Sequence, residues 1–244
     1  MHRRTLFAAA TTAACALLWG ACASHTQIPA EERAKLEREL TGRDSGKFLK
    51  LSYYVTPFFG DGTKKLLTHV PPDEVRLLNH PDGTPVNPGP VEKILPAGRP
   101  VRVVKVEFPT SWVVTERIPY TPRTQPWVYL TVADEPQSHP FILVLRPGIK
   151  SHAEFVAELG RYLSDQDPAR LIETWSDAVR TGIQNKSAVT DMPAEALEMA
   201  WGYPEIIRRE HDGDKKNEIW VYPGRKRIAH LTDGRLVRTE VSAQ

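Results

Sequence analysis

Cysteine is nearly absent from this chain: Cys15 and Cys22 are the only two among 244 residues. That excludes the dense disulfide framework of small secreted domains. Long apolar runs are as scarce. Past the first two dozen residues, no segment approaches the roughly 20 apolar residues that a spanning helix needs. Neither sign of charge dominates, since 32 Lys and Arg face 30 Asp and Glu, which removes the case for a nucleic-acid binder or a polybasic membrane patch. The hydrolase motifs Gly-x-Ser-x-Gly and Ser-x-x-Lys are missing. Histidines 25, 69, 80, 139, 152, 211 and 230 are scattered without a His-x-His or His-Glu-x-x-His pair, so neither a metal site nor a cofactor is expected. Proline, in contrast, is abundant at 21 residues, most of them between positions 57 and 147. Such a density favours short strands and many turns over long helices.

The first residues carry the clearest signal. Met1-His2-Arg3-Arg4 is basic, Thr5 to Trp19 is uncharged, and Gly20-Ala21-Cys22 closes the run with small residues. This order reads as a bacterial-type export signal over residues 1–21. Leu18-Trp19-Gly20-Ala21-Cys22 resembles a lipobox, in which cleavage falls between Ala21 and Cys22 and the thiol receives a diacylglyceryl group. The alternative exit is Ala21-Cys22-Ala23, an A-x-A-like site with cleavage before Ser24. Cys15 would be discarded with the signal, leaving Cys22 as the sole thiol with no internal disulfide to form. Losing Arg3 and Arg4 leaves 30 basic residues against 30 acidic ones, and cutting 21 residues from 244 leaves 223. That is enough for one large domain or two small ones. The lipobox implies a protein held in the envelope by a lipid on Cys22. Ala23-Ser24 after it, rather than Asp, leans towards the outer membrane facing the periplasm.

The expected fold class is α+β: a small SH3-like β barrel or sandwich, then helices packed on a short antiparallel sheet. Residues 22–45 read as a tether and a charged helix from Pro29 to Leu40, stopped by Gly42 and thin in apolar residues, so dependent on docking. Residues 46–147 read as the β-rich domain. Its strands are expected around Phe48–Val55, Lys65–Val70, Val75–Leu78, Val101–Val106, Ser111–Ile118, Trp127–Val132 and Phe141–Leu145. Leu95-Pro96-Ala97-Gly98 before Val101 looks like the strand entry of bacterial SH3-type modules. Residues 148–244 read as an α/β domain. Ser151 caps a first helix, Asp167-Pro168 opens a second with a stripe from Leu171 to Ile183, and Thr190 or Asp191 caps a third that ends at Gly202-Tyr203-Pro204. Gly182 to Ala188 reads as a polar connector. Strands Pro204–Arg209, Ile219–Tyr222, Arg227–Leu231 and Arg235–Val241 follow, separated by Asp-Gly and Pro-Gly turns.

Within residues 190–237, a helix closing on Gly202-Tyr203-Pro204, a strand with Trp220-Val221-Tyr222 and a strand ending at Asp233-Gly234 stand in succession. This combination resembles the SmpA/OmlA (BamE-like) outer-membrane lipoproteins. The resemblance covers about 48 of the 223 residues and implies a shared α/β layer. Each element also has a local reason: Gly202 suits a left-handed helix end, Pro204 prevents continuation, and Trp220 and Tyr222 share one strand face.

The richest candidate partner surface is Trp112, Arg117, Tyr120, Arg123 and Trp127, because Trp, Tyr and Arg together make interface anchors. The bland alternative is that Trp112, Trp127 and Tyr129 are core residues with prolines shaping the corners. Asp212, Asp214 and Glu218 raise a calcium loop, but Lys215 and Lys216 stand in the would-be cage, and a solvated hairpin tip fits better. A cell-wall-active enzyme using Glu107 or Glu116 is the remaining catalytic alternative. The sequence therefore points to a non-catalytic, lipid-anchored envelope protein, with an envelope protein or cell-wall polymer as its partner. An unanchored secreted binding module is the runner-up.

Overall fold

The computed structural model describes residues 25–42, 45–213 and 215–242; Ala21, Cys22 and Asp214 lie outside the described residues. Helix α1 (Ala30–Thr41) leads into strands β1 (Gly46–Leu49), β2 (Tyr53–Phe58) and β3 (Asp61–Thr68). A 3-10 turn at Pro72–Glu74 precedes β4 (Lys93–Leu95), β5 (Pro100–Glu107), α2 (Ser111–Glu116), β6 (Trp127–Val132) and β7 (Phe141–Val144). Then come α3 (His152–Leu159), β8 (Leu163–Ser164), α4 (Ala169–Glu173), α5 (Asp177–Gln184) and α6 (Ala194–Trp201). The chain ends in β9 (Ile206–Asp212), β10 (Lys215–Val221), β11 (Arg227–Thr232) and β12 (Arg235–Val241). The class is α+β.

Eight strands form one sheet in the order β4-β2-β3-β7-β6-β5-β1-β8. With β4 and β8 at its edges the sheet is open, not a closed barrel. Alternation along each strand buries both faces. Val55, Leu67, Leu130, Phe141 and Leu143 face one core, which α1 covers with Leu36 and Leu40 and α3 with Phe155 and Leu159. Phe58, Leu66, Trp127, Ile142 and Val144 face the other, closed by Val70, Val75 and Leu77 of the chain after β3. The thin apolar stripe of α1 is thus fully used. Ile149, Phe155, Leu159 and Leu163 belong to the same cluster as the sheet, so the change of period at 148 marks a change of element type while one core runs across it.

Five elements differ from the sequence expectation. The strand expected over Phe48–Val55 is two, β1 and β2. Ser111–Ile118 is not a strand: Thr110 accepts a hydrogen bond from the Val113 amide and starts α2 despite the Val113-Val114 pair. Val75–Leu78 is not a strand either, since Val70, Val75, Leu77 and Leu78 cap the sheet as an irregular segment. The Leu171–Ile183 stripe is broken where Ser176 caps α5 by accepting from the Val179 amide, which gives two short helices. The third helix starts after Pro193, two residues beyond the expected cap.

The C-terminal strands form an antiparallel meander, β12-β11-β10-β9. Ile183 of α5 and Leu197 and Trp201 of α6 pack on Trp220, Tyr222, Ala229 and Leu231. Tyr222 meets the Trp201 ring edge-on at 5.2 Å. Gly202 ends α6 at φ 84°, ψ −168°, a conformation essentially restricted to glycine.

The two sheets are joined by polar groups that leave water together. Glu74 accepts from Arg227 Nη2 at 2.9 Å and from its Nε at 3.1 Å, with both side chains buried. The guanidinium lies 5.2 Å from the Trp201 ring and 4.9 Å from the Tyr222 ring. Beside it, Lys226 pairs with Asp73 at 2.6 Å. Lys186, in the segment expected to be a plain connector, is buried: its Nζ donates to the Ser52 carbonyl at 2.7 Å and the Ala200 carbonyl at 2.6 Å. Burial, with Arg227 adding repulsion, pulls its ammonium well below the usual lysine range.

Candidate functional site

Strands β3 and β7 are neighbours and run parallel. Past their C-terminal ends the two chains part: the β3 chain closes one face of the sheet through Val70 and Val75, while the β7 chain crosses to the other face as α3. Chains that diverge from adjacent parallel strands leave a crevice beyond the strand ends. Here it is a cleft of about 430 Å³, bounded on its far side by Tyr203, Pro204 and Glu205 of the C-terminal unit. Its size lies within the usual range of ligand pockets.

The floor is apolar, with Leu67, Val70, Val75 and Leu143, and the lip carries Arg76, Arg146 and Arg161. Arg146 reaches Glu158 at 3.3 Å, and Arg161 lies 5.1 Å from the Tyr203 ring. The Tyr203 hydroxyl donates to the Arg161 carbonyl at 2.9 Å. Burial, with Glu158 close to the first and Glu198 to the second, pushes the Tyr162 and Tyr203 hydroxyls up to about 12, so both remain neutral donors. His69 packs 5.8 Å from Tyr162. Burial, reinforced by Lys186, Arg227 and Arg161, lowers its pKa to about 3. The cleft can therefore hold an apolar body; at its lip Arg146 and Arg161 both face Glu158, at 3.3 and 3.7 Å, while Arg76 stands exposed. The sequence hid it, because its walls come from seven separate stretches of chain.

The depressed His69 pKa makes a prediction. Unfolded, the imidazole titrates near 6.5; folded, it stays neutral down to about 3. Between those values the unfolded chain binds the extra proton. The His69 contribution is present in full above the unfolded value and is lost as pH falls towards the folded one. From about pH 7.5 to about pH 5 the native protein should lose about 2 kcal/mol relative to His69→Gln. Urea unfolding of both proteins at each pH measures the difference; parallel profiles would remove His69 from the acid response.

The sequence-predicted surface is split by the structure. Arg117 and Trp127 are brought together as scaffold: Trp127 is 2% exposed, and the Arg117 guanidinium stacks 3.6 Å over its ring. Arg117 Nη1 donates to the carbonyls of Arg123 and Gln125 at 2.6 and 2.7 Å, and its Nε donates to Glu107 at 2.8 Å. Trp127 Nε1 donates to the Pro122 carbonyl at 2.9 Å. Arg123 is half-buried and serves this clamp through its backbone. Trp127 and the guanidinium of Arg117 are thus corrected from contact surface to buried support. Trp112 and Tyr120 remain on the surface at 71% and 81% exposure, with Ile118 beside them. Tyr120 holds φ 69°, a conformation uncommon outside glycine, on a turn fixed by Thr121 Oγ1 donating to the Ile118 carbonyl at 2.7 Å.

Two of the carboxylates weighed for catalysis or calcium, Glu107 and Glu218, are engaged elsewhere. Burial would raise Glu107, but hydrogen bonds from Lys105 and Arg117 overcome that and hold it below its ordinary value. A carboxyl kept ionised in this way is unsuited to donating a proton. Glu218 accepts from Arg209 Nε and Trp220 Nε1, each at 2.8 Å, so its oxygens point into the sheet surface and not towards a hairpin cage. Among the described residues no group of three His, Cys, Asp or Glu is placed to hold a metal ion, and no helix is long and apolar enough to cross a membrane. Neither protein-family models, curated proteins nor solved structures give a match to this chain.

Proposed function

We propose that this chain is an exported, lipid-anchored protein of the bacterial envelope, attached through Cys22 to the outer membrane on its periplasmic side, and that it works by binding and not by catalysis. The anchor rests on the export signal, on Leu18-Trp19-Gly20-Ala21-Cys22, and on Cys22 being the only thiol left after cleavage. The observation that carries the binding role is the cleft at the ends of β3 and β7, an apolar floor with arginines at its lip. An envelope protein or cell-wall polymer bearing an acidic group beside an apolar one fits it. The Gly202, Trp220-x-Tyr222 and Asp233-Gly234 succession supports kinship of the C-terminal unit with BamE-like lipoproteins. For the β-rich part, the SH3-like reading rests on the entry at Leu95–Gly98, where Gly98 turns at φ 87°, and on bulges in β2 and β5 that bend the sheet.

Cell fractionation of Cys22→Ser tests the anchor. The variant should move from the membrane to the soluble envelope fraction, with its fold unchanged. A variant that stays membrane-bound to the same extent would sink the lipid-anchored reading.

A further inference from the structure

The chain is held at a defined place on the fold from His25 onward. The His25 amide donates to the Pro109 carbonyl at 3.0 Å. Ile28 is buried in the core under α1. Pro109 immediately precedes the Thr110 cap of α2. Cys22 stands three residues before His25, and three residue steps reach at most about 11 Å. Chain length alone therefore keeps Cys22 within about 14 Å of the Pro109 carbonyl, which stands just before α2.

The same corner carries the most exposed apolar side chains of the described fold. Trp112 is the second residue of α2, and Ile118, Pro119 and Tyr120 follow just past its end, all exposed. Val113 and Val114 are only partly covered, and α2 has no buried residue. Such a crest is costly in water unless something covers it. It is also rigid: the Arg117 clamp and the Thr121 bond to Ile118 fix the turn from beneath. A stiff set of Trp, Ile, Pro and Tyr has the chemistry of the headgroup boundary, where amphipathic rings sit with apolar bodies inward and polar tips in the wet layer.

We propose that this crest is the membrane-facing surface of the protein, with Trp112, Ile118 and Tyr120 seated at the headgroup level of the bilayer that holds the Cys22 lipid. The inference rests on the anchored reading above. It adds a second point of attachment, and two points fix an orientation where a lipid on a tether alone does not. Cys22 and the crest form one footprint. Glu116, one turn after Trp112 and exposed, limits the depth to the headgroup layer. The crest has no basic cluster, so the contact is apolar in character and weakly sensitive to salt.

The test uses the full-length protein, expressed with its signal and purified from membranes. It is reconstituted into phosphatidylcholine vesicles with and without brominated acyl chains, which quench nearby tryptophan. Trp112 is the one exposed tryptophan among the described residues; Trp127, Trp201 and Trp220 are buried and Trp175 is partly covered. Brominated lipid should quench part of the emission of the native protein, and Trp112→Phe, which removes no buried group, should abolish that part. Floating vesicles that carry the protein with no Trp112-dependent quenching would overturn the membrane-facing crest and leave the anchor standing. A photocrosslinker at position 112 that captures a protein and no lipid would overturn it as well. Protein that does not float with the vesicles overturns the anchored reading, and the crest proposal with it.

Discussion

Replacing Glu74 by Leu should cost the fold about 3–5 kcal/mol, because it strands the Arg227 guanidinium in a place with almost no water. The pair is bidentate, both side chains are buried, and the aromatic rings of Trp201 and Tyr222 occupy the remaining space. A total stability of about 5–15 kcal/mol is usual for a domain, so this would remove a large share of it. The pair itself contributes much less than its breakage costs. Exchanging both partners for apolar ones, Glu74→Leu with Arg227→Met, should recover most of the loss. Urea midpoints at constant slope would provide the cycle. A single substitution costing under about 0.5 kcal/mol, the scale of an exposed pair, would show that this contact does not hold the two sheets together.

Gly202→Ala should be the second most damaging single change. Gly202 sits at φ 84°, where a side chain is strained in any surroundings. Its missing Cβ would also stand 3.1 Å from His69 Cγ and closer still to Cδ2. Strain of about 1–3 kcal/mol and overpacking of about 1–3 kcal/mol act together. The imidazole cannot simply swing aside, since Tyr162 packs against it. Adding His69→Ala to Gly202→Ala should relieve the overpacking share and leave the backbone share in place. Thermal unfolding of the three variants measures this. Equal losses for the single and double variants would assign the whole cost to the backbone.

The same glycine shows why parts of the fold were legible. Helix ends and tight turns are local events: Gly202 after α6, Ser151 before α3 and Asp233-Gly234 before β12 take the conformations that their residue types predict. Strand β5, with its alternation, and β6 and β7, short runs rich in β-branched and aromatic residues, were equally readable. Ser111–Glu116 misled because Val113 and Val114 favour strands, whereas the Thr110 cap and the preceding Pro109 decide for a helix. Arg117 and Trp127 read as interface anchors because Arg, Trp and Tyr serve both interfaces and buried cation–ring stacks; only the fold separates the two uses. Glu74, Lys186 and Arg227 carried no local signal at all. They meet across more than a hundred residues of chain, and Lys186 lies in a segment of otherwise polar residues. The cleft escaped for the same reason, being a product of one parallel pairing in a sheet whose other pairings are antiparallel among the described residues.

On the proposed reading, anchoring rests on the Cys22 sulfur, and orientation on that anchor together with the crest. In that proposal the crest and the cleft beyond the ends of β3 and β7 belong to a chain fixed to a surface at its N-terminal end. The most direct measurement is the mass of the N-terminal peptide of the protein recovered from bacterial membranes. The account predicts a peptide beginning at Cys22 and carrying a diacylglyceryl group. A peptide beginning at an unmodified Ser24 would contradict it.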